Sequence, residues 1–326
     1  MGRKKKTSLF GGKVTWVSIL VFVVLVGVYV YRYGWDVLLP ETQTEAKVET
    51  KAEETAKLGT AKQESGTKTN TARKTASSEK SVLSDESLLP ASRADLSEQI
   101  LHRKGYTVSY NKDTRNPNWV AWTLTEAHTA ELVERPGTSP FHEDDEVPDP
   151  KANRSDYKGS GWSRGHLCPA GDCRWDEDAM YESFLLTNIC PQAGKLNTGV
   201  WNQIEKSCRE WAVKYGEVMI VTGPIYFKKS KAGTIGENKV KVPDAFFKVV
   251  LAIKDGKHQG IGFVCRNEDK NADEAGTTKD GRKRSKKELY THTIDEVEKI
   301  TGYDFYPGLE DSIETSVEAL ADYEQW

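Results

Sequence analysis

The sequence predicts an α+β fold, on three observations. Apolar, β-branched segments recur at Trp119–Leu124 (WVAWTL), Glu217–Thr222 (EVMIVT) and Phe246–Ile253 (FFKVVLAI), each too short for a helix and bounded by turn residues. Thr198–Tyr215 (TGVWNQIEKSCREWAVKY) instead places Ile204, Cys208, Trp211 and Tyr215 at helical spacing. Strands and helices then follow one another without regular βαβ alternation, which points to a mixed or antiparallel sheet.

In chain order, Ile100–Tyr110 reads as a strand and NKDTRNPN as the turn before Trp119–Leu124. Glu134–Pro150 is a proline- and acid-rich loop, and Asn153-Arg154-Ser155 forms an N-glycosylation sequon. Gly159, Gly161 and Gly165 surround a short strand, and Asp176–Leu186 is mostly helical. Gly194–Asn197 reads as a loop, with Asn197 at the N-terminus of the long helix and Gly216 as its stop. Gly260–Val264 adds a strand, Thr293–Thr301 a short helix, and the segment from Glu310 to Trp326 a further helix.

The amino-terminal residues do not read as part of this domain. Residues 1–13 are basic and 14–31 form an uncharged apolar run with Trp16, Tyr29 and Tyr31 near its ends. Roughly 18 such residues suffice for a membrane helix, and aromatic rings favour its interfaces. The expectation is a single-pass anchor with a cytoplasmic amino terminus, contact with the lipid bilayer, and an extracytoplasmic catalytic part on the periplasmic or extracellular side. A cleaved signal peptide would have a shorter apolar core and a small-residue cleavage site. A mitochondrial inner-membrane anchor is the alternative, although the start lacks the Arg- and Ser-rich character of a transit peptide. From Thr42 to about Ser92 the chain is a Lys, Glu, Thr, Ala and Ser mixture, almost free of large apolar side chains, and residues 32–92 read as a disordered tether. The folded domain is expected over residues 93–326.

A formal net charge of -3 removes bulk basicity as an argument for nucleic-acid binding. Attraction of a polyanion would require a local patch, such as DGRKRSKKE at Asp280–Glu288, or a metal ion. The five cysteines lack paired C-x2-C spacing, so zinc is not expected. In an oxidising compartment they would allow two pairs and a free thiol.

The chemistry gathers between Tyr157 and Glu205. A histidine amid glycines, two asparagines and a glutamate supply a general base, oxygen donors for a hard cation, and polar support. SRGHLCPAGD, LLTNICPQ, LNTGVWNQIE and VTGPIY, in this order and spacing, resemble the DNA/RNA non-specific endonuclease family, the ββα-metal nucleases that include endonuclease G-like proteins. The resemblance spans roughly residues 95–310.

The resemblance implies a ββα-metal fold and a role for each matching residue. His166 matches the general base that deprotonates the attacking water, and Asn197 the direct protein ligand to Mg²⁺, with Mn²⁺ as an expected substitute. Glu205 matches the glutamate that holds metal-bound water, and Asn188 an asparagine that organises the site. Arg164 belongs to the histidine motif, and either Arg135 or Arg154 stands for an upstream arginine near the scissile phosphate. The substrate would be DNA or RNA, read without base specificity and cut to 5′-phosphate and 3′-hydroxyl ends. One departure is Ser163, where the family motif usually begins with aspartate; metal affinity and pH optimum are the properties it bears on. A homodimer and an inhibitor protein stay open as partners. The rival readings are a nucleic-acid-binding module that has lost catalysis, and a phosphodiesterase or envelope protein unrelated to nucleic acid.

Overall fold

The computed structural model describes Leu83, residues 86–137, 140–269, Ser285 and residues 287–326. Seven strands form one sheet: β1 (Gln99–His102), β2 (Thr107–Asn111), β3 (Asn116–Thr125), β6 (Glu217–Ile225), β9 (Ala245–Lys254), β10 (Lys257–Arg266) and β11 (Thr291–His292), in that spatial order. Every pairing in it is antiparallel, so of the two sheet types expected the antiparallel one is realised. The expected single strand over 100–110 is a hairpin, because Lys104-Gly105 turns the chain between β1 and β2.

The central strands read as continuous apolar runs because both faces of the sheet are covered. Alternation sends Val120, Trp122, Val218, Ile220 and Val250 to one core, and Trp119, Ala121, Met219, Val221 and Val249 to the other. The second core is closed by α4 (Ile294–Thr301) and α5 (Asp311–Glu318). α4 begins with a capping box between Thr293 and Glu296 and ends at Gly302, whose φ of 75° is left-handed. The first core is closed by α3 (Asn202–Tyr215), which buries Ile204, Cys208, Trp211 and Ala212.

Two short strands stand apart from the large sheet, β4 (Ser163–His166) and β5 (Ile189–Gln192), paired antiparallel so that His166 lies opposite Ile189. A second small pair, β7 (Thr234–Ile235) and β8 (Val240–Lys241), completes the strands. Between the site elements lie α1 (Arg154–Tyr157) and α2 (Glu177–Ser183). Asn153 caps α1 in a capping box with Asp156, so the asparagine of the sequon serves as a helix cap. All five cysteines are buried thiols; Cys168 and Cys173 bring their Sγ atoms to 3.7 Å.

The expected apolar span at residues 14–31 lies outside the described residues, and so does the tether apart from Leu83 and residues 86–92; there the expectation of disorder is corrected, because Leu83 and Leu88 are buried in the second core. Among the described residues no helix is long and apolar enough to cross a membrane. Of the basic patch, Arg282, Lys283, Arg284 and Lys286 also lie outside, while Lys287 donates from Nζ to Ser207 Oγ at 2.6 Å.

Candidate active site

β4 fixes His166 by local chemistry. Gly165 packs beneath the Gln192 side chain so closely that a Cβ would sit 2.2 Å from Gln192 Oε1, so no other residue fits between Arg164 and His166. Beyond His166 the chain is clamped by Asn188, which is fully buried. Its Oδ1 accepts from Cys168 N–H at 2.9 Å, and its Nδ2 donates to the carbonyls of Cys168 and Ser183, each at 2.8 Å. Both donors of the Asn188 amide are thus spent on backbone, which makes it a support for the histidine rather than a group facing substrate.

The imidazole sits in an aromatic corner. Its centroid lies 5.3 Å from Phe141 and 5.1 Å from Phe184, the latter edge-on. Two cations rest on the same rings: Arg164 over Phe141 at 4.9 Å and Arg135 over Phe184 at 5.5 Å. His166 Nε2 is enclosed and makes no hydrogen bond. Burial, and secondarily the Arg135 charge, push the imidazole down to about 3, so it is neutral at physiological pH.

The aromatic corner depends on residues that sequence reading passed over as loop. Asp144 makes a buried ion pair with Arg103 at 2.6 Å and accepts from Thr187 Oγ1 at 2.6 Å. His142 bridges to Leu185. These ties pin the 134–150 loop to the sheet and to the segment holding Asn188, setting Phe141 and Arg135 beside His166.

Asn197 and Glu205 approach from the helix. The expected loop at Gly194–Asn197 is already helical, and Asn197 N–H bonds to Ala193 O at 2.9 Å. Asn197 is therefore one turn inside the helix and not its N-cap, as the sequence suggested. Residues 197–201 form a widened π turn with a non-helical Gly199 (φ -98°, ψ -117°). Such insertions recur at functional sites because they re-aim side chains, and this one resets the phase between Asn197 and Glu205. Neither side chain makes a hydrogen bond among the described residues, leaving an amide oxygen and a carboxylate for other partners. Burial raises Glu205 to about 7, opposed chiefly by Lys248 and more weakly by Arg209 and Arg135. Arg135 acts on both His166 and Glu205, which ties the helix side of the site to the strand side.

Of the two upstream arginines, the geometry brings Arg135 to His166. Arg154 is exposed on α1, its helix capped away by Asn153. Ser163 and His166 lie on opposite faces of β4, since successive strand residues alternate. Ser163 Oγ instead neighbours Gly194, in the turn that leads to Asn197. The missing carboxylate would therefore bear on the helix side of the site rather than on the imidazole.

Gln192 is the residue that sequence reasoning missed. It is fully buried, yet neither its Oε1 nor its Nε2 has a hydrogen-bond partner. Only the unusual PQ at the end of an apolar strand could have flagged it. This buried orphan amide packs against Gly165 on the histidine strand, and its oxygen is the kind of donor that suits a hard divalent cation.

A model of the DNA/RNA non-specific endonuclease family matches residues 84–312. The chain belongs to that family. Nuclease 1, mitochondrial, of Schizosaccharomyces pombe is 40% identical over 180 residues, covering 52% of this chain and 55% of that protein. Endonuclease G, mitochondrial, of Homo sapiens is 36% identical over 162 residues, covering 47% of this chain and 54% of that one. A crystal structure of an EndoG/EndoGI complex, described as showing the mechanism of EndoG inhibition, superposes with a TM-score of 0.60 at 27% identity. It covers 67% of this chain and 89% of that chain. The match spans about half the length of the named relatives.

These findings correct the placement expected from the amino terminus. The relatives are mitochondrial nucleases by name, and no membrane-crossing helix occurs among the described residues. The single-pass periplasmic or extracellular placement and the bilayer partner are accordingly withdrawn.

Proposed function

We propose that the chain is a divalent-metal-dependent, sugar-nonspecific endonuclease that hydrolyses phosphodiester bonds of DNA and RNA. The observation that carries this reading is the neutral His166, set against the aromatic rings that carry Arg135 and Arg164, with Arg135 acting also on Glu205 of the long helix.

The half-buried imidazole is neutral at physiological pH and so able to accept a proton. His166 accepts the proton of the attacking water on its neutral imidazole. Its orientation is held by the rings of Phe141 and Phe184 and by the Asn188 clamp behind it. Arg135, exposed at the mouth of the site, and Arg164 present guanidinium groups to the phosphate. Backbone phosphate contact carries no base information, which suits cleavage without sequence readout.

Asn197 would hold the metal through its amide oxygen. Glu205 would orient its water ligands, and Gln192 would support them. When bound, Mg²⁺ or Mn²⁺ supplies charge neutralisation at the scissile phosphate and at the leaving 3′ oxygen. No cluster of three acidic side chains is needed for this, because phosphate and water complete the shell.

The test is incubation of the purified full chain with supercoiled plasmid and, separately, single-stranded RNA, with Mg²⁺ or with EDTA. Cleavage of both substrates with metal only is expected. Metal-independent retention of DNA without cleavage would contradict it.

A further inference from the structure

Tyr181 on α2 is the most exposed of the tyrosines, tryptophans and phenylalanines among the described residues, at 63%. Its neighbours on the helix turn inward: Ala179, Met180 and Ser183 are buried, and Met180 packs with Ala170 and Phe184 in a small core flanked by Phe141 and Val133. Yet the tyrosine ring is held. One of its faces lies on His142, with centroids 4.1 Å apart and planes 25° from parallel. His142 is fixed in turn: Nδ1 donates to the Pro140 carbonyl at 2.8 Å, its N–H to the Phe184 carbonyl at 3.2 Å, and its own carbonyl accepts from Leu186 N–H at 2.9 Å. The outcome is a two-ring stack, ordered on its inner side and open to solvent on its outer one.

The stack adjoins the aromatic corner around His166 through both of its members. His142 follows Phe141 in the chain, and Tyr181 lies one helical turn, about 4.5 Å along the axis, before Phe184. Phe141 and Phe184 are the rings that meet the imidazole and carry Arg164 and Arg135. The local charges decide which part of a nucleotide the tyrosine can take. Arg135, exposed over Phe184, is the cation available to phosphate. On α2, Lys104 engages Asp176 at 2.8 Å and Asp178 at 3.2 Å, while the exposed Glu177 stands one turn before Tyr181 on the same face and repels phosphate there. An uncharged π face remains, and every base has one to stack on it. Bases inside a duplex already stack and pair with one another, so only an unpaired base reaches such a face without further cost.

We propose that the outer face of Tyr181, backed by His142, is a stacking subsite for an unpaired nucleobase flanking the scissile phosphate, and that it favours single-stranded over duplex nucleic acid. The proposal rests on the nuclease reading for the identity of its ligand. Stacking engages the base alone and is tolerant of sequence, in keeping with cleavage that reads no base.

The experiment is fluorescence anisotropy with the full chain in EDTA, where nothing is cut. The probes are a short labelled oligothymidine and a strand of the same length built from abasic residues, which keeps the phosphates and lacks the bases. Tyr181→Ala is expected to weaken binding of oligothymidine roughly tenfold, the scale of one lost base–aromatic stack, and binding of the abasic strand less than about twofold. Tyr181→Phe, which keeps the ring, should bind oligothymidine within about twofold of the wild type, and His142→Ala should show the selective loss in smaller degree. Equal losses of Tyr181→Ala on the two strands, no loss on either, or a wild type that does not distinguish them overturns the proposal. A wild-type chain that prefers the base-bearing strand yet cleaves nothing in Mg²⁺ overturns the nuclease reading and leaves the stacking subsite standing.

Discussion

The guanidinium of Arg135 lies 5.5 Å over the ring of Phe184, and the same ring meets the imidazole of His166 edge-on at 5.1 Å. One buried phenylalanine thus packs against both the proposed base and an exposed cation. Arg135→Ala is expected to lower kcat/KM roughly a hundredfold, the scale of losing one charge-stabilising donor. It should leave the melting temperature unchanged, because the side chain is exposed. Arg154→Ala should change neither. Steady-state kinetics on a short duplex checks both variants.

His166 and Glu205 pull the pH dependence of stability in opposite directions. His166 is lowered from 6.5 to about 3, so between those values the unfolded chain binds the extra proton and stability rises with pH. Glu205 is raised from 4.5 to about 7, so the folded chain holds the extra proton there and stability falls as pH rises through that window. In EDTA the two contributions offset each other between pH 4.5 and 6.5. Glu205→Gln should unmask a melting temperature that climbs from pH 3 to 6.5, and His166→Asn one that declines from pH 4.5 to 7. Calorimetry across pH reads both slopes; a slope of the wrong sign in either variant contradicts the assignment.

Ser163→Asp places a carboxylate on the Gly194 side of β4, toward the turn that carries Asn197. Half-saturation with Mg²⁺ should tighten severalfold, on the order of one added carboxylate near a hard cation. The melting-pH slope assigned to His166 should stay as it is. A metal titration followed by cleavage rate is the measurement.

Asn188→Ala would strand three buried backbone groups, Cys168 N–H and the carbonyls of Cys168 and Ser183. The expected cost is ~3 kcal/mol or more, at about 1–3 kcal/mol for each stranded group. Denaturant unfolding should show it as a lower midpoint at constant slope. A variant as stable as the wild type would mean that water replaces the clamp.

The sequence was legible where function and local pattern coincide. Four motifs in register identified the family, and apolar runs located the central strands. The start of the long helix was not legible, because Gly194–Asn197 read as a loop while the chain already turns there and continues through a π insertion at 197–201. The choice between Arg135 and Arg154 depended on a loop held by Arg103–Asp144 and Asp144–Thr187, contacts 41 and 43 residues apart that no local pattern encodes. Lys248 hid inside FFKVVLAI, where period-2 alternation assigns it simply to a buried face. Its place in the core appears only once the rings of Trp122 and Trp201 converge on it from β3 and the turn at 197–201.

The most direct test of the central claim is plasmid nicking by the full chain beside His166→Ala, each with Mg²⁺ and with EDTA. The account predicts metal-dependent nicking by the wild type, reduced at least roughly a thousandfold in the variant, with both proteins equally folded by circular dichroism. A His166→Ala protein that nicks at the wild-type rate would contradict the assignment of His166 as the base.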